Sequence, residues 1–231
     1  MIIIGDVHGC YYTLIALLMQ IDRKKDEKIC FVGDLIDRGP KSKEVIDFVK
    51  SNNHLCVKGN HEDMAVKSLN DEFCDLGDCK FEYVWANNGG NQTIHSFGSY
   101  KLMKAGYYNW MKDLPIMLKF PEIKINDKSL IVTHSFLFSN KEDYEWGIMW
   151  DRNFHIDDEI WGKDPKYFNV FGHTPVKVPV FKDCYALIDT GCVYNYHKNE
   201  HNNYGNLTAI RVLDGMKDRD IEVYNQTNCE E

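Results

Sequence analysis

Six residues of metal-binding type, Asp6, His8, Asp34, Asn60, His134 and His173, each follow a short apolar run. Met1-Ile2-Ile3-Ile4 leads into Gly5-Asp6-Val7-His8-Gly9, and Ile29-Cys30-Phe31-Val32 into Gly33-Asp34-Leu35-Ile36-Asp37-Arg38-Gly39. Leu55-Cys56-Val57-Lys58 leads into Gly59-Asn60-His61-Glu62, Leu130-Ile131-Val132-Thr133 into His134, and Asn169-Val170-Phe171 into Gly172-His173. All six offer oxygen or imidazole and none a thiolate. That set suits Mn²⁺, Fe or Zn²⁺ better than a thiolate zinc site, and its histidines argue against Mg²⁺ or Ca²⁺ alone. One histidine beside an apolar run is commonly a satisfied core or loop residue. Six such residues at strand ends do not reduce to that.

Two ions about 4 Å apart need a carboxylate that offers an oxygen to each. Asp34, in the middle motif, is the natural bridge. Asp6 and His8 would complete one ion's shell, and Asn60, His134 and His173 the other's, with the neutral Asn60 carbonyl sparing the cluster a further anion. Two divalent transition ions, Mn²⁺ first among them, would make a water between them nucleophilic at neutral pH. Arg38 and Arg152 supply planar donor forks for a phosphate. His61 can protonate a leaving oxygen while Asp37 orients its ring. Glu62 either orients a ligand or loop or simply complements a helix start.

Positioning such residues requires strands that end at one edge, where open α/β sheets place their ligand sites. Residues 1–4, 29–32 and 54–57 read as strands. A helix over 11–21 carries Leu14, Leu17, Leu18 and Ile21, and a second opened by Pro40 carries Val45, Ile46, Phe48 and Val49. The first sixty residues are therefore β-α-β-α-β, a mainly parallel sheet covered by helices. Residues 63–70 continue as a helix after Glu62. The segment about 63–112 reads as a helical insertion whose aromatics, Trp85 among them, pack a core, with a turn at Asn87-Asn88-Gly89-Gly90-Asn91. Strands are expected at 116–120, 122–126 and 129–133, with a hairpin turn at 126–128. A helix follows at 142–152, then strands at 169–171, 177–181, 184–189, 206–213 and 220–224. Asp189-Thr190-Gly191-Cys192 is a sharp turn, residues 194–205 form a hydrophilic loop, and the tail after Val223 frays. The fold class is α/β (α+β): two mixed β-sheets packed as a sandwich, flanked by helices, in a single domain over 1–231.

The 231 residues carry a formal net charge of −8, with 44% hydrophobic and 27% charged residues. No basic footprint serves a nucleic-acid backbone, whereas a phosphate substrate remains compatible because bound cations invert the local field. Cys30, Cys56 and Cys184 lie in apolar runs, Cys74 and Cys79 lack a second cysteine pair, and Cys10 and Cys192 read as free surface thiols. A reduced compartment, the cytoplasm, fits best. The apolar start meets Asp6 too soon for a signal peptide, and no run is long enough to span a membrane.

Gly5-Asp6-Val7-His8-Gly9, Gly33-Asp34-Leu35-Ile36-Asp37-Arg38-Gly39 and Gly59-Asn60-His61-Glu62 resemble the three signature blocks of the phosphoprotein phosphatase family of calcineurin-like metallophosphoesterases. Thr133-His134 and Gly172-His173 resemble its later histidine blocks, and the likeness runs from residue 5 to about 191. It implies a helix-flanked β-sandwich with two Mn²⁺-type ions at the strand ends. By the same likeness Asp6 and His8 hold the first ion, Asp34 bridges, and Asn60, His134 and His173 hold the second. His61 paired with Asp37 is the acid, and Arg38 and Arg152 hold phosphate.

Asn88-Gly89-Gly90 and Asp189-Thr190-Gly191-Cys192 are similar to the compact bacterial and bacteriophage branch, which contains broad-specificity serine/threonine phosphatases and dinucleoside tetraphosphatases. Pro175 stands where diesterases and nucleases of the wider superfamily carry a further histidine. The resemblance thus implies phosphomonoester hydrolysis on a phosphorylated protein or small molecule. Dinucleoside tetraphosphate hydrolysis is the alternative, and an inactive binding module on the same fold ranks third. Asp37 leans toward the protein phosphatases, since symmetrically cleaving tetraphosphatases tend to lack it while asymmetrically cleaving ones keep it. Val193 to Asn206 is longer than the family's glycine-rich turn.

Overall fold

The computed structural model describes residues 1–70, 80–137, 145–152, 166–195 and 204–230. Strands β1 (Ile2–Ile4), β2 (Ile29–Phe31) and β3 (Leu55–Cys56) alternate with helices α1 (Tyr11–Gln20) and α2 (Ser42–Ser51). The three strands pair in parallel, with Ile3 opposite Cys30 and Phe31 opposite Cys56. Two late strands, β9 (Asn206–Arg211) and β10 (Glu222–Thr227), add antiparallel to the other side of β1, giving the order β10-β9-β1-β2-β3. The second sheet joins β4 (Met117–Ile125), β5 (Lys128–Thr133), β6 (Tyr167–Phe171), β7 (Val180–Lys182) and β8 (Tyr185–Leu187) in the order β4-β5-β6-β8-β7, with β5-β6-β8 parallel.

The period-two geometry of strands explains why the apolar runs are continuous rather than alternating: both faces of each sheet are covered. Ile3, Cys30, Val32 and Ile210 face inward, against Val132, Phe168, Val170 and Ala186 of the second sheet. Ile2, Ile4, Ile29 and Phe31 face outward, beneath Leu14 and Leu17 of α1 and Val45 and Val49 of α2. On the far side, Ile131, Phe171 and Leu187 pack with Phe136 and with Ile148 of a short helix. The expected sandwich is the observed one.

Helix α3 (Asn60–Leu69) starts three residues earlier than the hydrophobic spacing indicates, so Asn60, His61 and Glu62 form its first turn. The carboxylate of Glu62 accepts the N–H of Gly59 at 2.9 Å, stabilising that early start. Helix α2 begins at Ser42, two residues past Pro40. Strand β4 replaces two expected strands by one that crosses Pro121 at a register shift between Phe120 and Lys124, where a missing N–H does no harm. Asn126 and Asp127 both take positive φ, 50° and 64°, as a two-residue hairpin turn requires.

The segment read as an insertion comprises α4 (Lys80–Trp85), a wide turn over Ala86–Gly90, α5 (Asn91–Phe97) and α6 (Tyr100–Lys112). Its Phe97, Met103 and Met111 join the core over α2 and α3. The other expected helix is described as α7 (Glu145–Trp150), and residues 142–144 lie outside the described residues. Of the hydrophilic loop, residues 196–203 lie outside them too, as do Cys74 and Cys79.

Two expectations are corrected. The tail does not fray: β10 runs to Thr227, Asn228 donates to the Cys192 carbonyl at 2.9 Å, and Glu230 accepts the Thr13 N–H at 2.9 Å. Nor are Cys10 and Cys192 surface thiols: this anchored tail and α1 bury both, and burial pushes the Cys192 thiol up. Among the described residues no helix is long and apolar enough to cross a membrane.

Candidate metal centre

The loops leaving β1, β2, β5 and β6 and the first turn of α3 converge at one end of the sandwich. Five of the eight non-glycine residues with positive φ among the described residues are here: His8, Asp34, Asp37, Arg38 and His173. Side chains rarely adopt this conformation, so its concentration at one place marks strain held by the surrounding structure. Gly59 and Gly172 permit the crowding, because a Cβ on either would collide with the carboxylate of Asp34 or of Asp6.

Backbone carbonyls fix which ring nitrogens face the centre. His134 Nδ1–H donates to Val32 O at 2.8 Å, His173 Nε2–H to Trp150 O at 3.1 Å, and His8 Nδ1–H to Ile36 O at 2.8 Å. The remaining nitrogens turn inward. His134 Nε2 lies 2.9 Å from Asn60 Oδ1, 3.2 Å from His173 Nδ1 and 3.3 Å from Asp34 Oδ1. His173 Nδ1 lies 3.0 Å from the same Asn60 oxygen. On the other side of Asp34, Oδ2 is 3.6 Å from His8 Nε2 and 3.9 Å from His61 Nε2.

With the Asn60 oxygen turned inward, the lone pairs crowded at these distances repel unless a positive charge sits among them. Asp34, well below the usual carboxylate range despite its burial because His134, His61 and His8 surround it, is the shared member of both clusters. Burial works against a charge on His134, but Asp34 holds its ring above the ordinary value, so a proton can supply that charge. A divalent cation supplies it better, and the oxygen-imidazole donor set fits one on each side of Asp34.

The structure thus brings His8, Asp34, Asn60, His134 and His173 together. Asp6 stands slightly apart from both clusters, its carboxylate accepting the N–H of His173 at 3.1 Å. Burial, then Asp189 and Asp34, push Asp6 well above the usual range. Burial and the adjacent Arg38 push His8 down, and burial and His134 take His173 down to about 3.

Arg38 points into the centre, its Nη1 donating to His8 Nε2 at 2.8 Å. Arg152 is exposed and lies two residues past Trp150, the acceptor for His173. Ser135 helps tie that segment down, donating its hydroxyl to the Asp151 carbonyl and its backbone N–H to the Ile148 carbonyl at 2.6 Å. His61 Nδ1 donates to Asp37 Oδ2 at 2.6 Å, and both residues are buried. Glu62 accepts the N–H groups of Asp34 at 2.9 Å and Leu35 at 2.8 Å, in addition to Gly59, so it orients the bridging loop as well as the helix start. Burial and Asp34 push its carboxyl up to about 7.

Three participants escape a reading by spacing. Asp189, pushed up to about 6 by burial, accepts the Gly191 N–H at 2.8 Å beside Asp6; the sequence marked it only as part of a sharp turn and of a block resembling the family, with no role at the site. Trp85 and Thr93 of the insertion both donate to Asp37, at 2.9 Å and 2.6 Å. They lie four residues either side of Gly89 in the sequence, far from any ligand motif.

The family model for calcineurin-like phosphoesterases matches residues 1–202. The chain belongs to this family. As a calcineurin-like phosphoesterase it is a phosphoric ester hydrolase. It is 26% identical to serine/threonine-protein phosphatase 1 of Salmonella typhimurium, over 91% of this chain and 90% of the relative. It is 27% identical to the asymmetrical bis(5'-nucleosyl)-tetraphosphatase PrpE of Anoxybacillus flavithermus, over 90% and 89% respectively. A serine/threonine phosphatase structure from Saccharomyces cerevisiae shares the fold with a TM-score of 0.58 at 16% identity, over the whole of this chain and 80% of the other.

Proposed function

We propose that this calcineurin-like phosphoesterase is a phosphomonoester hydrolase of the protein serine/threonine phosphatase type. In this reading Asp6, His8 and Asp34 hold one divalent ion and Asp34, Asn60, His134 and His173 a second, Mn²⁺ in the cell. Bound there, the ions would neutralise phosphate charge and acidify water. Arg38 and Arg152 hold the phosphoryl oxygens through charge-assisted hydrogen bonds. Arg38 exchanges its hydrogen bond to His8 for one to substrate. His61, its Nδ1 on Asp37, presents Nε2–H to the leaving oxygen.

The observation that carries the reading is the 2.6 Å bond between buried His61 and Asp37. A serine or threonine alkoxide is a poor leaving group unless protonated, so a held acid serves it. A nucleotide leaves as a more stable phosphate anion and depends less on such a donor, and since asymmetrically cleaving tetraphosphatases keep the aspartate, the pair argues against symmetric cleavage alone. The reading also takes the whole chain, with its insertion at about 63–112, as one catalytic domain acting in the cytoplasm, where its buried free cysteines stay reduced. Its net charge of −8 supports no nucleic-acid partner.

A second reading, dinucleoside polyphosphate hydrolysis, is favoured by one feature. Trp146 and Trp150 stack with planes 7° apart and centroids 6.5 Å apart, and Trp146 is 55% exposed. Trp150 bonds His173 through its carbonyl, so this aromatic surface borders the centre and offers a base a stacking face. Manganese-loaded protein given a phosphoserine peptide and diadenosine tetraphosphate in parallel separates the two. A kcat/KM preference of about 100-fold for the peptide, near 2.7 kcal/mol, is expected. The same preference for the dinucleotide would install the second reading.

A further inference from the structure

We propose that Trp85 and Thr93 of the helical insertion are positioning residues that aim the Asp37 carboxylate at His61. The proposal rests on the reading of His61 as proton donor. Three donors, Trp85, Thr93 and His61, meet the Asp37 carboxylate, and the hydroxyls of Thr93 and Ser42 accept its backbone N–H. Trp85 Nε1–H spans both carboxylate oxygens, at 3.0 Å from Oδ1 and 2.9 Å from Oδ2. Thr93 Oγ1 accepts the Asp37 N–H at 2.8 Å, so its single proton goes to Oδ1 at 2.6 Å. Ser42 Oγ takes a share of the Asp37 N–H at 3.1 Å and donates to Thr93 at 3.1 Å. With Oδ1 held by threonine and both oxygens by the indole, Oδ2 has one orientation left, toward His61 Nδ1.

The backbone shows that this arrangement is built in. Asp37 has φ 73°, a conformation that a side chain adopts only when held, and its holders come from the insertion and α2. Trp85 is 2% exposed, and a Cβ on Gly90 would lie 2.6 Å from its ring. Gly89, with φ 102°, passes over Arg38 and accepts its backbone N–H at 3.2 Å. One turn of the insertion therefore braces Asp37 and Arg38 together. A segment that merely covered the sheet would present apolar atoms here, as Phe97 and Met103 do elsewhere.

Loss of this bracing should be felt where a proton must reach the leaving oxygen and not where the leaving group is already a stable anion. The experiment compares Thr93→Val, Thr93→Ser, Trp85→Phe and His61→Asn on a phosphoserine peptide and on 4-nitrophenyl phosphate, with metal content measured for each. Thr93→Val keeps shape and removes only the hydroxyl, so it carries the test even where Trp85→Phe does not fold. Expected are a fall in kcat of about 10–100-fold on the peptide, less than about 3-fold on the aryl ester, an unchanged KM and full metal content. Thr93→Ser, which keeps the hydroxyl, recovers most of the peptide rate. Equal losses on both substrates, a rise in KM alone, or lost metal would overturn the positioning role. So would wild-type peptide turnover in Thr93→Val while His61→Asn is impaired. Wild-type peptide turnover in His61→Asn would instead remove the acid reading itself.

Discussion

At the residue scale, the inward nitrogens of His134 and His173 and the Asn60 oxygen share a space that only a positive charge makes comfortable. In the proposed function a proton and a metal ion compete for it. Asp34 raises the His134 ring above its ordinary value, so the proton stays bound to higher pH than on a free histidine. The raised Asp6 carboxyl adds to that competition. Below these raised values the protons hold the site, and above them they leave it to the cation. Metal affinity is therefore expected to rise as pH climbs through and above the ordinary histidine value, with proton release on binding. Calorimetry in two buffers of different ionisation enthalpy measures that release. Binding without proton release across this range would show that the site is not protonated as described.

At the element scale, one buried carboxylate joins two motifs. Glu62 of α3 accepts three N–H groups, from Gly59 at the start of that helix and from Asp34 and Leu35 beyond β2. Removing it leaves three buried donors without an acceptor, at about 1–3 kcal/mol each. Glu62→Ala is expected to destabilise the metal-free protein by about 3–9 kcal/mol in urea unfolding, and an unchanged midpoint would contradict the clamp. The strands and their terminal ligands were legible because a continuous apolar run followed by glycine and a ligand is a local signal. The early start of α3 was not, since it depends on Glu62 meeting loop amides 27 and 28 residues away in sequence. The insertion is the clearest case. Its aromatics do pack a core, as composition suggests, yet Trp85 also carries a polar N–H whose destination, Asp37, is 48 residues upstream. Periodicity finds a buried tryptophan but not its partner. The tail misled for the same reason: charged and amide residues read as solvated, whereas Asn228 and Glu230 bond across to Cys192 and Thr13.

At the scale of the whole molecule, the two sheets serve as a frame that brings β1, β2, β3, β5 and β6 to a common edge, and family membership agrees with that architecture. The insertion closes the edge from one side through Trp85, Thr93 and Gly89, and the segment through Trp150 borders it from another. At the centre of this frame stands Asp34, with one oxygen toward His134 and the other toward His8 and His61. In the proposed function this single carboxylate joins two metal sites. Manganese titration of Asp34→Asn against the unaltered protein, with bound metal counted per chain, tests it most directly. The account predicts two tight sites in the unaltered protein and a fall of at least about 10-fold in affinity at both sites in the variant. Either site retaining its full affinity in Asp34→Asn would contradict it.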